Sequence, residues 1–196
     1  IEIIETAHSV GLPTTSTMMF GHIEKTAHVA HHLLELLNLQ KKTNGITEFV
    51  PLPFVADEAP IFRRGQARPG PTFKETILVH SVARILFQGQ INNIQGSWVK
   101  MGLPGLKFLL SSGINDIGGV LMNESITRSA GASFGQELQL DEVEGIVNEL
   151  GLNLQQRNTL YDSLNSNLQD LISLQSIPLI PINNDYHKPK KLINIT

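Results

Sequence analysis

Apolar residues recur at two different periods along the chain, and the switches between them divide it into alternating strands and helices. Residues 1–10 have helical spacing and stop at Gly11 and Pro13, where a strand can begin. Residues 14–20, rich in β-branched side chains and closed by Gly21, predict a short buried strand with unusually many hydroxyls. Over residues 24–39, Ala30, Leu33, Leu34 and Leu37 repeat at helical spacing, and Asn44-Gly45 ends that unit. Residues 46–54 predict a second strand, interrupted by Pro51 and Pro53, and residues 59–71 a loop rich in Pro, Gly and Arg. Residues 72–87 predict a second amphipathic helix with Thr72 as its N-cap, residues 93–99 a third strand and residues 106–110 a short helix. Residues 115–121 read as a fourth strand or turn, and residues 124–130 and 141–150 as further helices.

Strands alternating with helices at this spacing argue for parallel βαβ units, and there are too few strands to close a barrel. The expected class is therefore α/β, as part of a β/α barrel. After Tyr161 the pattern weakens to Ser, Asn and Gln with scattered Leu, then a Pro-broken run at 177–182 and a basic tail with Lys188, Lys190 and Lys191. The expected division is a barrel domain over 1–161 and a peripheral tail over 162–196.

A length of 196 residues, 41% of them hydrophobic, suits one sizeable globular domain. The formal charge of −3, from 15 basic and 18 acidic residues, provides no broad basic field, so nucleic acid is not an expected partner. No apolar run approaches the roughly 20 residues that span a bilayer, and the first residues lack the features of a signal peptide. A soluble protein is expected, away from membranes, in the cytoplasm or an organellar stroma. The absence of cysteine excludes disulfides, thiolate zinc sites, a cysteine nucleophile and cysteine-held clusters within these residues. The chain opens at Ile1 inside a helical pattern, and it is read as a fragment of something longer.

Reactive groups of parallel β/α folds gather at the carboxyl ends of strands. Four polar clusters qualify: residues 14–17 with His22, Thr47-Glu48, Gln95 with Ser97-Trp98, and Asn115-Asp116 leading to Asn123-Glu124. Hydroxyls and amides suit the ribose and amino-acid ends of a nucleoside-like ligand, the Trp98 ring offers a stacking face, and a buried Glu48 suits an ammonium. Taken singly, each of these residues equally fits a structural role. His28 and His32 have the i, i+4 spacing of helical zinc ligands, but no Glu follows His28, and their phase opposite Ala30, Leu33 and Leu37 sends them to solvent. His22, after a strand end and a glycine, is expected at the cavity mouth. Glu124 and Arg128 fit either a surface ion pair or a grip on a polar substrate. Neither the segment at Gly70 nor Gly118-Gly119 makes a phosphate-binding loop.

Five strings, over residues 14–24, 47–54, 93–102, 115–131 and 156–161, span most of the chain and resemble, in order, the radical S-adenosylmethionine deazaflavin-synthase family. The first and the Gly-Gly pattern also fit related menaquinone-pathway radical enzymes, while residues 93–98 and 123–131 favour the deazaflavin branch. Val120 stands where that family usually has Thr, and Asn44 and Ile46 replace a Gly and an aromatic residue. The resemblance implies the second half of a partial β/α barrel with a carboxy-terminal helical extension. It also implies a transfer in which S-adenosylmethionine, cleaved by a 4Fe-4S cluster, yields a radical that breaks tyrosine. The hydroxybenzyl unit then joins 5-amino-6-(D-ribitylamino)uracil, beside a ring-closing subunit or fused domain. Implied candidates for the reacting centre are Glu48, His22 and Asp116. Thr15, Ser16, Thr17 and Gln95 are candidates for S-adenosylmethionine, and Trp98, Asn115, Asn123, Glu124 and Arg128 for the substrates. The cluster's C-x3-C-x2-C ligands are expected upstream of Ile1. A cluster-free binding module derived from the same barrel is the competing reading.

Overall fold

The computed structural model describes residues 1–120, 124–135 and 137–162. Asn123 and the tail from residue 163 onward, with its 177–182 run and terminal lysines, lie outside the described residues.

Three parallel strands form the sheet in the order β1 (Thr14–Phe20), β2 (Ile46–Pro53), β3 (Asn93–Ile94). A single parallel bridge from Gln95 to Asp116 continues the order beyond β3. Parallel pairing demands long crossovers. Helix α2 (Thr26–Thr43) joins β1 to β2, while α3 (Pro60–Arg63) and α4 (Phe73–Leu86) lie between β2 and β3. Helix α1 (Glu2–Ser9) precedes the sheet, and α5 (Trp98–Leu110), α6 (Ile126–Ser129) and α7 (Leu140–Glu149) follow it. Among the described residues the fold is thus α/β around a small parallel sheet.

Side chains alternate across a strand, and on β1 that alternation separates two environments. Ser16, Met18 and Phe20 are buried against the helices, whereas Thr15, Thr17 and Met19 face the uncovered side. Register carries the faces across the sheet, because Ser16 pairs with Phe49 and Thr15 with Glu48. The helix side is the core: Phe49 and Phe87 meet edge to face at 5.3 Å, with Leu33, Leu36, Ile94 and Leu106 packed around them.

A buried glutamine fixes where β2 starts. Gln40, 3% exposed near the end of α2, accepts from Ile46 N at 2.8 Å and donates to Ile46 O at 3.1 Å and Gln90 O at 2.9 Å. It stands in for a neighbouring strand, satisfying the backbone that opens β2 and the turn that leads to β3. Asn44, in the left-handed region at φ 50°, supplies the helix stop that its sequence announces.

Three expected elements change shape. The third strand stops at Ile94 instead of running to residue 99. Gly96 is crowded by Ile114, Leu109 and Leu106, and Ser97 O receives the first turn of α5 from Lys100 N and Met101 N. The short helix at 106–110 is the second part of α5, which breaks at Gly102 (φ 63°, ψ 177°), where a Cβ would lie 2.8 Å from Phe134. Pro104, in the first turn after this break, lacks the N–H that a helix start leaves unused. Of the segment expected as a fourth strand or turn, only the one bridge at Asp116 is strand-like.

Replacing Gln40 by Met would keep the volume but leave the Ile46 amide and two carbonyls unpaired. Equilibrium urea unfolding is expected to register a loss of about 2 kcal/mol; an unchanged midpoint would remove Gln40 from its bracing role.

Candidate functional site

On the uncovered side of the sheet, the chain beyond α7 returns to cross β2 and the Asp116 segment. Asn158 organises this return: its Oδ1 accepts from Leu160 N at 2.8 Å and Asp162 N at 3.0 Å, and Tyr161 is held at φ 68°. A tyrosine in the left-handed region is strained, so its placement is fixed by the surrounding bonds. The Tyr161 ring lies under the Arg157 guanidinium, 4.2 Å from carbon to ring centre, and its hydroxyl bonds Glu48.

Arg157 joins two carboxylates. Its Nε donates to Asp116 Oδ2 and a terminal nitrogen reaches Glu48 Oε1 at 3.4 Å, while Asp116 Oδ1 accepts from Gly118 N at 2.7 Å. One cation thus serves two acids, and the balance appears in Glu48. Burial, then the charge of Asp116, push its carboxyl up to about 6, outweighing the Tyr161 hydroxyl and Arg157. The Tyr161 phenol is pushed up to about 12, first by burial and then by the Glu48 charge, so it remains a donor.

Of the three residues assigned to the reacting centre, Glu48 and Asp116 meet through Arg157, whereas His22 does not join them. Glu48 pairs with Thr15 near the start of β1, and His22 lies beyond the strand's end, roughly 20 Å further along. There His22 Nδ1 lies 2.9 Å from Glu24 Oε2, at an angle that makes no hydrogen bond, and its ring packs on Phe54. Glu24 closes the turn by accepting from Gly21 N and His22 N. Burial raises the pKa of Glu24, but these backbone donors outweigh it and hold the carboxyl below its usual range. Arg68, whose Nη1 donates to both Glu75 oxygens at 2.7 and 3.0 Å and whose Nη2 lies 3.6 Å from Glu24, fastens the loop of residues 59–71 over this strand end.

The residues expected to hold S-adenosylmethionine divide by face. Thr15 and Thr17 present hydroxyls to the uncovered side, with no bond to another described residue, while Ser16 points into the helix layer. Gln95 lies against Gly118, where a Cβ would come within 2.2 Å of its amide. Trp98 belongs to the core at 4% exposure, its Nε1 donating to Gly119 O at 3.2 Å, which leaves no ring face for stacking. Asn115 is occupied as a substitute strand, accepting from Ile94 N at 2.9 Å and Arg84 at 2.6 Å. Glu124 and Arg128 make no ion pair with each other; Glu124 Oε1 instead accepts from Thr127 N at 3.0 Å.

His32 departs from its expected exposure. The buried stripe of α2 runs through Leu33, Leu36, Leu39 and Gln40, so His32, one turn before Leu36, is half-buried and its burial lowers its pKa. With His28, Thr15 and Ser16 it lines a cavity of about 610 Å³ beside β1. Among the described residues no three His, Asp or Glu side chains converge as metal ligands, and no helix is long and apolar enough to cross a membrane.

Residues 43–169 match the family described as the CofH/MqnC C-terminal region. The chain belongs to this family. It is 48% identical over 161 residues to the 5-amino-6-(D-ribitylamino)uracil--L-tyrosine 4-hydroxyphenyl transferase of Methanothermobacter thermautotrophicus, a match covering 82% of this chain and 44% of that protein. To the transferase of the same name from Methanocaldococcus jannaschii it is 47% identical, across 84% of this chain and 46% of that one. To the FO synthase of Nocardia farcinica it is 42% identical, across 93% and 20%. The chain therefore spans less than half the length of these curated relatives. The CofH/MqnC segment includes Glu48, Asp116, Arg157 and Tyr161, whereas β1 lies before it. Arg157, Tyr161, Glu24 and Arg68 are the site residues that sequence reasoning missed. Arg157 and Tyr161 lie inside the 156–161 string and Glu24 closes the 14–24 string, so the family resemblance was the available signal for these three, whereas Arg68 lies outside every string.

Glu48 gives a measurable pH dependence. A carboxyl raised from 4.5 to about 6 stabilises the fold while protonated, fully below the unfolded value, and that contribution is lost as pH climbs through about 6. Glu48→Gln is expected to be about 2 kcal/mol more stable than the parent at pH 8, with no difference at pH 4. Denaturant titrations at the two pH values measure this, and parallel behaviour of the two proteins would contradict it.

Proposed function

We propose that the intact protein is a radical S-adenosylmethionine transferase. It joins the 4-hydroxybenzyl group of tyrosine to 5-amino-6-(D-ribitylamino)uracil, the step that prepares the deazaflavin FO. Residues 1–161 form the second half of its β/α barrel, followed by a helical extension. The observation that carries this reading is the identity of 46–49%, over 82–84% of the chain, with relatives named for that transfer. In the FO synthases the matching segment is only 19–20% of the protein, which supports a ring-closing domain, fused or separate, as partner.

The uncovered side of the sheet is the wall of the reaction chamber. The free hydroxyls of Thr15 and Thr17 suit the ribose of S-adenosylmethionine, and Gln95 suits its polar edge. When bound, S-adenosylmethionine together with a 4Fe-4S cluster would supply radical chemistry at this wall. The chain has no cysteine, so none of its residues fits as a thiolate ligand of that cluster, whose ligands belong upstream. What these residues contribute is order. Arg157 fixes Glu48 and Asp116, Tyr161 seals Glu48 from water, and the rigid floor keeps the reacting groups aligned. His22, fastened beside Glu24 at the strand end, lines the chamber's mouth.

Assayed without oxygen under reducing conditions with tyrosine, the aminouracil and S-adenosylmethionine, the intact protein is expected to release 5′-deoxyadenosine and form the hydroxybenzyl adduct. Thr17→Val is expected to weaken S-adenosylmethionine about fivefold, the value of one hydrogen bond. No deoxyadenosine from protein with a complete cluster would overturn the radical assignment. Deoxyadenosine formed only with a different acceptor would move the protein to the menaquinone-pathway branch.

A further inference from the structure

The segment that carries Arg157 and Tyr161 is built as a cover over the sheet. Helix α7 ends at Glu149, and the chain turns through Gly151, left-handed at φ 66° with open space where a Cβ would lie. Gly151 N donates to Asn148 O and Leu152 N to Val147 O, each at 3.0 Å, so the helix is finished before the segment begins. Residues 152–162 then run over the uncovered face. Their leucines give little purchase: Leu154 packs at the edge of the core, while Leu152 and Leu160 are 43% and 70% exposed. What ties the segment to β2 and the Asp116 bridge is polar, namely Arg157 to Asp116 and Glu48, and the Tyr161 hydroxyl to Glu48.

This cover, and not the sheet, buries Glu48. Register places Thr15 and Asn93 on either side of it at the same level and on the same face. Thr15 is exposed and Asn93 half-buried, yet Glu48 is 4% exposed, so the difference comes from the layer above. That layer is easily lifted. A guanidinium still partly in solvent exchanges its partners for water at small net cost, and local opening draws on segments with few buried apolar contacts. Tyr161, held at φ 68°, is strained only while the cover is down.

We infer that residues 152–162 form a hinged strap, latched by Arg157 and Tyr161 onto Glu48 and Asp116, whose release opens the inner face of the sheet to a ligand. The inference stands on these contacts and not on the transferase reading, which is tested by the product formed. The latch responds to pH. Among the described residues, the charged and titratable groups facing Glu48 are Asp116 on the bridge segment and Arg157 and Tyr161 on the strap, while β1 and β3 present Thr15 and Asn93. The Tyr161 phenol, pushed up to about 12, stays protonated throughout. Burial and then Asp116 raise Glu48 from 4.5 to about 6 under the strap, so the closed form holds this proton more tightly than the open one. Closure is favoured fully below 4.5, and that advantage is lost as pH climbs through about 6.

Hydrogen exchange of the intact protein, read by mass spectrometry and corrected for the intrinsic rate at each pH, tests this. Peptides within 152–162 are expected to be less protected than those of β2, and their opening to increase about eightfold from pH 5 to 7.5 while β2 stays constant. Glu48→Gln should abolish that response and hold the strap near its protection at pH 5. Tyr161→Phe, which keeps the ring and loses the hydroxyl, should increase opening about fivefold. Strap peptides as protected as β2 in the parent protein, and tracking it at every pH, would overturn the inference; so would a pH response that survives in Glu48→Gln. Neither result bears on the transferase reading.

Discussion

The uncovered face of the sheet depends on one guanidinium. β2 supplies Glu48, and the segment that replaces a fourth strand supplies Asp116, attached to the sheet by a single bridge at Gln95. Two acids facing the same side would repel, and a lone bridge is a weak hold. Arg157 converts the repulsion into a tie and fastens the Asp116 segment at the level of β2 and β3. What hangs from that segment, Gly118 over Gln95 and the Gly119 carbonyl on Trp98, inherits its position from this contact.

The two faces of the sheet use opposite physics. On the helix side, Phe20, Phe49, Phe87 and Ile94 exclude water, and the buried amide of Gln40 there is satisfied by backbone. On the other side, charge is deliberately left over. Glu48 keeps its proton longer than an ordinary carboxylate because one cation cannot answer two acids in a partly dry setting. Charge is thus concentrated on the uncovered face, while the core holds the strands still.

Much of the frame was legible in the chain. The β-branched run before Gly21, the Asn44-Gly45 stop and the Thr72 cap all appear as read, the last with Glu75 N donating to Thr72 Oγ1 at 3.2 Å. The local reading failed where long-range contacts decide. Residues 95–99 look like a strand, but Gly96 is filled by side chains from α5 and the 114 region, so the chain turns into a helix and buries Trp98. His32 was assigned to solvent from a stripe centred on Leu33 and Leu37, whereas Leu36 and Gln40 rotate that stripe towards it. Arg157 acts on a residue 109 positions away, a separation that no periodicity encodes.

The break at Gly102 makes α5 a jointed element. Its first turn is set by the sheet through Ser97 and Trp98, while its second part is gripped from outside by the Lys107–Glu149 ion pair and the Phe73–Phe108 ring contact. Phe134, wedged against the glycine, fixes the angle between the two. Like a bracket bolted separately to floor and wall, the helix lets its two ends bear different loads. The turn that follows the strand ends is therefore seated by the sheet alone, independently of what holds the outer part of the helix.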